Sequence, residues 1–257
     1  MLSLTPLVLH AEYQHTVNSA PHNNIITSRI VLDCCKYKVY FFATCYFGTE
    51  AVTMNLTAQQ RLLDLFGRQS VVRSRDLEQY EIPRVEISRM YKRGVVERVG
   101  RGLYRLTDAQ VTEHQTLAEV GKAIPNGVVC LLSALRFHNL TTQAPFEVWM
   151  AIDVKAHLPK TSLPIKFVRF SGPARSDGVE IHRKDGVDIK VYCLAKTIAD
   201  CFKYRHKIGL DVALEALRES RKCDRCTIDD LWRYAKVCRV SNVMMPYLEA
   251  LAIFPYS

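Results

Sequence analysis

Between Met54 and Leu106, three short helix signatures are followed by two strand-like runs joined by Gly100-Arg101-Gly102, and this order leaves few folds open. Thr57 is placed to cap a helix whose apolar face is Leu62, Leu65 and Phe66. Ser74 starts a second short helix through Leu77, and Pro83 suits the first turn of a third. Gly94 ends that third helix as a left-handed cap. Val95–Val99 and Leu103–Leu106 then read as the strands of a hairpin. Three short helices and a hairpin predict a winged helix-turn-helix over residues 54–106.

The charges of this segment agree with that fold. It carries 11 basic against 6 acidic side chains, a net of +5. At 100° per residue the third helix puts Ile87 and Met90 on one face and Val85, Ser88, Arg89 and Lys92 on the other. An exposed face of this kind suits a DNA major groove, where arginine forks onto guanine and a small apolar side chain meets a thymine methyl. Arg84 and Arg93 stand at its two ends. Arg73, Ser74 and Arg75 surround the start of the second helix, where backbone N–H groups and cations favour phosphate. Arg101 lies at the hairpin tip, in reach of backbone or minor groove. The competing reading is a solvated basic helix.

The whole chain has 257 residues, 48% of them hydrophobic, with 35 Lys+Arg against 26 Asp+Glu for a net of +9. At about 100–200 residues per domain, one or two domains are expected. No run approaches the roughly 18 uncharged apolar residues of a membrane span, which excludes the membrane class. The nine cysteines follow no secretory leader, and a chain this long needs no covalent staples, so they read as reduced thiols in a cytoplasmic protein. Residues 1–53 are neutral overall and hold no sustained period. They read as an extension, non-native or disordered, with Met54 as the natural start.

Residues 107–257 carry a net of +4 and read as a mixed α+β domain. A helix is expected from Asp108 to Ala123, a buried helix over Val128–Phe137, and strands at Phe146–Ile152 and Ile165–Phe170. Glu180–Tyr192 reads as a hairpin turning at Asp185-Gly186. Four helical stretches follow: Leu194–Arg205, Leu210–Arg221, Ile228–Val237 and Val243–Ala250.

Several signals point elsewhere. Cys223 and Cys226 have zinc spacing, but no second pair completes four ligands, so no metal is expected. Glu180, Asp188 and Lys190 are the residue types of a Mg²⁺-dependent nuclease, the enzymatic alternative. The separate histidines accompany no nucleophile elbow, and no glycine-rich phosphate loop occurs. No catalytic residue and no cofactor is therefore expected. A protein-interaction module is the third reading. In Lys196-Thr197-x-x-Asp200-x-x-Lys203-x-Arg205-x-Lys207, Ile198 and Phe202 can face a core while Lys196, Asp200 and Lys203 share a polar side. That side is either an ion pair of a helix face or a basic surface for a second partner.

Longer motifs are more specific. Gly127-Val-Val-Cys-Leu-Leu-Ser133-Ala-Leu135-x-Phe-His138-Asn-Leu140, then Pro145-x-Glu147-Val-Trp149, resembles the AbiEi antitoxins of type IV toxin–antitoxin, or abortive infection, systems. So do Tyr192-x-Leu194-Ala-Lys196-Thr197-x-Ala-Asp200-x-Phe202-Lys203-Tyr-Arg205-x-Lys207-x-Gly209 and the ending Leu231-Trp-Arg-Tyr-Ala-Lys236-x-Cys-Arg239-Val. Arg98-Val-Gly100-Arg-Gly102-Leu-Tyr104 fits the same family. The resemblance implies an autorepressor whose winged helix binds inverted repeats in its own operator, as a monomer or a dimer on DNA. Its C-terminal domain, 107–257, would oppose a nucleotidyltransferase-like AbiEii toxin, with direct contact left open. The surface assigned to antitoxicity is Lys196, Thr197, Asp200, Lys203, Arg205 and Lys207.

Overall fold

The computed structural model describes residues 26–30, 41–45, 57–110, 112–222 and 225–253. The chain divides into two compact units, Met1–Asn55 and Leu56–Ser257. In the first, strands β1 (Ile26–Ile30) and β2 (Phe41–Cys45) pair antiparallel, Ile26 opposite Cys45 and Ile30 opposite Phe41. Cys223 lies outside the described residues, so its spacing to Cys226 has no structural counterpart here.

The second unit begins with helix α1 (Ala58–Arg68). Thr57 caps it through a reciprocal pair of bonds: its hydroxyl accepts from Gln60 N, and its own N–H donates to Gln60 Oε1 at 2.9 Å. A short strand β3 (Val72–Arg73), a 3-10 helix (Ser74–Tyr80) and helix α2 (Arg84–Lys92) follow. The second helical segment is 3-10 and not α because it is one short run with a single buried residue, Leu77, and it stops at Glu81 in the left-handed region. Strands β4 (Val96–Gly100) and β5 (Leu103–Leu106) form the hairpin, and β3 pairs with β5 to complete a three-stranded antiparallel sheet. Leu62, Phe66, Leu77, Ile87, Met90 and Val96 fill one core between helices and sheet.

Residues 107 onward build a five-stranded mixed sheet. Helix α3 (Gln115–Ala123) is shorter than expected, because residues 108–110 and 112–114 are not helical. The expected single helix over Val128–Phe137 is instead strand β6 (Val128–Val129) followed by α4 (Leu131–Phe137). Its continuous apolar run has no period to separate a buried strand from a buried helix. Then come β7 (Val148–Asp153), β8 (Ile165–Phe170), the short α5 (Pro173–Ser176), β9 (Val179–Lys184) and β10 (Val187–Tyr192). The sheet order is β8-β7-β6-β10-β9, with β7–β8 and β6–β10 parallel. The tail is α6 (Leu194–Lys203), α7 (Arg205–Ile208), α8 (Leu210–Lys222), α9 (Ile228–Cys238) and α10 (Ser241–Ile253).

Both faces of this sheet are covered, which is why β7 reads as an unbroken apolar run. Met150, Ile189 and Val191 pack toward α3, while Trp149, Phe170 and Tyr192 pack into a larger core with α4, α6, α8 and α9. Among the described residues no helix is long and apolar enough to cross a membrane.

The β9–β10 turn fastens this sheet to the N-terminal helices. Asp185 and Gly186 have φ of 50° and 73°, as a two-residue hairpin turn requires. Ser70 N donates to Asp185 O at 2.9 Å, and Thr112 Oγ1 donates to the Asp185 carboxylate. A Cβ on Gly186 would lie 1.7 Å from Arg68 O, so the turn approaches the end of α1 more closely than any side chain permits. Gly186→Ala adds both that clash and a disfavoured backbone conformation. It should lower stability by at least about 1–3 kcal/mol, read as a fall in the urea midpoint with an unchanged slope.

Candidate nucleic-acid interface

Helix α2 separates its faces cleanly. Ile87 and Met90 are buried against α1 and β4, whereas Arg84, Val85, Ser88, Arg89, Lys92 and Arg93 are exposed. Val85 is an uncovered apolar side chain in the middle of this polar face. Two of the arginines are already paired within the chain. Arg84 meets Glu78 at 2.6 Å and Arg89 meets Glu86 at 2.5 Å. Both pairs are largely exposed on the arginine side, so each is worth about 0–1 kcal/mol and yields readily to a phosphate or a base edge. Glu86 lies on α2 with its arginine, whereas Glu78 reaches Arg84 from the preceding 3-10 helix.

The residues expected around the second helix are differently placed. Arg75 is exposed. Arg73 is half-buried, and its guanidinium donates to Lys122 O on α3 at 3.4 Å. Ser74 sits beneath the hairpin, with its N–H bonded to Gly102 O at 2.8 Å. Arg73 and Ser74 therefore brace the helices against the hairpin and α3. Arg101 is exposed at the hairpin tip. A groove there is shared with Arg98 and, from the loop between β7 and β8, with Lys160, Thr161 and Ser162. Lys160 carries no local sequence signal, because only the tertiary fold brings that loop to the tip.

The base of the α2–hairpin unit is held by a second set of ion pairs. Lys122 Nζ meets Asp76 at 3.0 Å and Gln69 Oε1 at 3.1 Å. Arg105 bridges Glu119 at 2.9 Å and also binds Glu97. These contacts orient α2 and the hairpin on α3, so the basic face is displayed in one direction.

The nuclease constellation does not assemble. Asp188 lies opposite Arg183 and Lys190 opposite Ile181, which places those four on one face of the β9–β10 pair. Glu180 lies opposite Val191, on the other face. Glu180 binds His182 at 3.0 Å, and Lys190 Nζ donates to Pro125 O. Among the described residues no group of three or more acidic, histidine or cysteine side chains is placed to hold a metal.

The expected antitoxicity surface divides. Lys196, Thr197 and Asp200 are completely buried and cannot form a surface. Every residue of α6 from Leu194 to Phe202 is buried, because the helix is covered by α4, α8 and α9 around it. Lys203 and Lys207 are exposed, and Arg205 is half-buried with its guanidinium on Phe202 O at 3.0 Å. Lys196 Nζ donates to Asp200 Oδ2 at 2.5 Å and lies 4.1 Å from the centroid of the Tyr192 ring. Cys238 Sγ donates to Asp200 Oδ1 at 3.2 Å. Burial pushes the Asp200 carboxyl above its ordinary value, and Lys196 pulls it back. Burial, then Asp200, pushes the Cys238 thiol up to about 12.

His138 is also buried, and its Nε2–H donates to Tyr192 O at 2.8 Å. Thr197 Oγ1 donates to the same carbonyl at 3.1 Å. Desolvation holds the His138 imidazole below its ordinary pKa.

Residues 60–107 match the family of AbiEi antitoxins that act as transcriptional regulators. The AbiEi match spans α1 through β5, the same elements that carry the exposed basic face. The motifs in Gly127–Leu140, Tyr192–Gly209 and Leu231–Val240 lie outside the matched segment. No curated protein matches the chain.

Two stability measurements follow from the buried groups. Lys196→Met alone strands the Asp200 carboxylate in the core and should cost about 3–5 kcal/mol, whereas Lys196→Met with Asp200→Leu should recover most of that loss. A neutral buried His138 contributes stability above the unfolded pKa of about 6.5 that is lost as pH falls toward its lower folded value. Melting temperature should therefore fall on acidification below about pH 6.5, and His138→Gln should flatten that part of the profile.

Proposed function

We propose that this chain is a DNA-binding antitoxin and transcriptional autorepressor of a type IV toxin–antitoxin system. Residues 54–106 act as a winged helix-turn-helix, and residues 107–257 form the antitoxin domain. The observation that carries this reading is the exposed face of α2, with Val85, Ser88, Arg89 and Lys92 above the buried Ile87 and Met90. The AbiEi match over the same elements supports it. In this reading α2 enters the major groove. Arg89 reads guanine, Val85 meets a thymine methyl, and Ser88 and Lys92 bond to base or phosphate. Arg75, Arg84 and Arg93 engage phosphates around the helix, and Arg101 reaches the backbone or minor groove from the wing. Arg73 and Ser74 position these groups without touching DNA themselves.

Inverted repeats in the operator present two half-sites, so two copies of the chain bind together, as a dimer assembled on DNA. Opposition to a nucleotidyltransferase-like AbiEii toxin belongs to the C-terminal domain, where Lys203, Arg205 and Lys207 are the members of the expected surface that stay within reach of solvent.

The test is quantitative binding of the full chain to the DNA upstream of its own coding sequence. Arg89→Ala should cost about 1–3 kcal/mol and narrow the gap between operator and scrambled duplex. Arg101→Ala should weaken both duplexes alike and reduce the salt slope by about 1. Unchanged operator affinity in both variants would overturn the winged-helix assignment.

A further inference from the structure

The outer edge of strand β8 is separate from the basic face of α2. Strand β8 ends the five-stranded sheet, and among the described residues no strand pairs on its far side. Val148 N donates to Pro164 O at 2.8 Å, and Val154 N donates to Phe170 O at 3.0 Å. In a parallel ladder both backbone groups of a residue point the same way, so residues 164, 166, 168 and 170 serve β7. Ile165, Phe167 and Arg169 therefore point their N–H and C=O groups outward. Tyr204 Oη donates to Arg169 O at 3.2 Å and closes one end. The groups of Ile165 and Phe167 are left open as a template for another strand.

A groove of about 560 Å³ runs along this edge, lined by Ile165 to Arg169 together with Leu158, Tyr204, Lys207 and Glu147. Its charge is mainly basic, with Lys166, Arg169 and Lys207 against Glu147. Lys166 lies 4.1 Å from the Trp149 ring centroid, and Lys207 lies 5.5 Å from that of Tyr204. Lys203 is exposed beside Phe170 at the same end. None of these three lysines forms an ion pair among the described residues, in contrast to Arg84 and Arg89 on α2. Arg169 spends its guanidinium on Val154 O and Ala156 O, holding the loop that forms the groove's outer wall. Apolar surface is also left uncovered: Leu158 is 57% exposed, and Phe146, adjacent to Glu147 in sequence, is 93% exposed.

We infer that the β8 edge binds an extended, acidic segment of a partner protein, which adds to the sheet as a strand and places its carboxylates against Lys166, Lys203 and Lys207. Main-chain bonds to Ile165 and Phe167 supply the affinity, and the lysines select the sign of the partner. A second copy of this chain is a less fitting occupant, because its own β8 edge carries Lys166 and Arg169 and no acidic side chain to meet the lysines. The inference is independent of the DNA reading, since no residue of α2 or the hairpin takes part.

The probe is a fluorescein-labelled, end-blocked octapeptide of alternating glutamate and valine, titrated with the full chain and followed by anisotropy. Saturable binding with Kd on the order of 10–100 µM at low salt is expected, at least tenfold weaker with Lys166→Glu and Lys207→Glu combined. Phe167→Pro removes an outward N–H while leaving the β7 ladder intact, and should also weaken binding. Since that variant can lose packing, circular-dichroism melting is run alongside, and the exposed lysine pair carries the test if it unfolds. Absence of saturable binding to wild type would overturn the inference. So would equal binding of a control octapeptide of alternating lysine and valine, or displacement of the acidic peptide by duplex DNA. Concentration-dependent dimerisation abolished by Phe167→Pro would place a second copy on the edge and overturn it as well.

Discussion

The C-terminal part of this molecule is organised around an ion pair sealed from water. Lys196 and Asp200 lie one turn apart on α6, both wholly buried, with an Nζ–Oδ2 distance of 2.5 Å. Charges removed from water cost several kcal/mol each unless attraction and hydrogen bonds offset them. The surroundings meet that demand: the Tyr192 ring faces the ammonium, and Cys238 donates to the second carboxylate oxygen. Helix α6 must keep this register, and the strands and helices that cover it follow. The sheet in turn carries the Asp185-Gly186 turn to the end of α1. In this way the sheet packed on α6 is tied to the end of α1.

On that face the electrostatics are those of exchange. Arg84 and Arg89 each hold a glutamate in the free protein, whereas Lys92 and Arg101 form no ion pair among the described residues. Exposed pairs contribute little, and a phosphate lattice offers higher charge density, so in the proposed DNA-bound state the glutamates would be released without a large penalty. In the proposed reading, specificity depends on base-edge contacts by Arg89 and Val85 and on the wing reaching its own site.

Much of this was legible in the sequence, for identifiable reasons. Thr57 with Gln60, Pro83 before α2, and the Asp185-Gly186 turn are local signals, and the backbone obeys them. Strand β8 was read to the residue as a short apolar run between Pro164 and Ser171-Gly172. The strand–helix sequence at Val128–Phe137 was hidden in one apolar run, where both sides are buried and periodicity vanishes. Lys196 and Asp200 misled for the same reason: charge suggests exposure, and only the packing of α4, α8 and α9 around α6 reveals that they pair in the core. The turning of Arg73 onto Lys122 O, and the arrival of Lys160 beside Arg101, depend on contacts across long stretches of chain. The nuclease-like trio failed on register, since Glu180 is on the opposite sheet face from Asp188 and Lys190.

The central claim is that the α1–β5 unit recognises the chain's own operator. It is tested most directly by a mobility shift of the full protein on its upstream DNA, against excess scrambled duplex, at two salt concentrations. The account predicts a specific shift that survives the competitor and weakens steeply as salt rises, because several phosphates give up their counterions on binding. A folded protein that shows no preference for its upstream DNA, or whose shift is indifferent to salt, would contradict it.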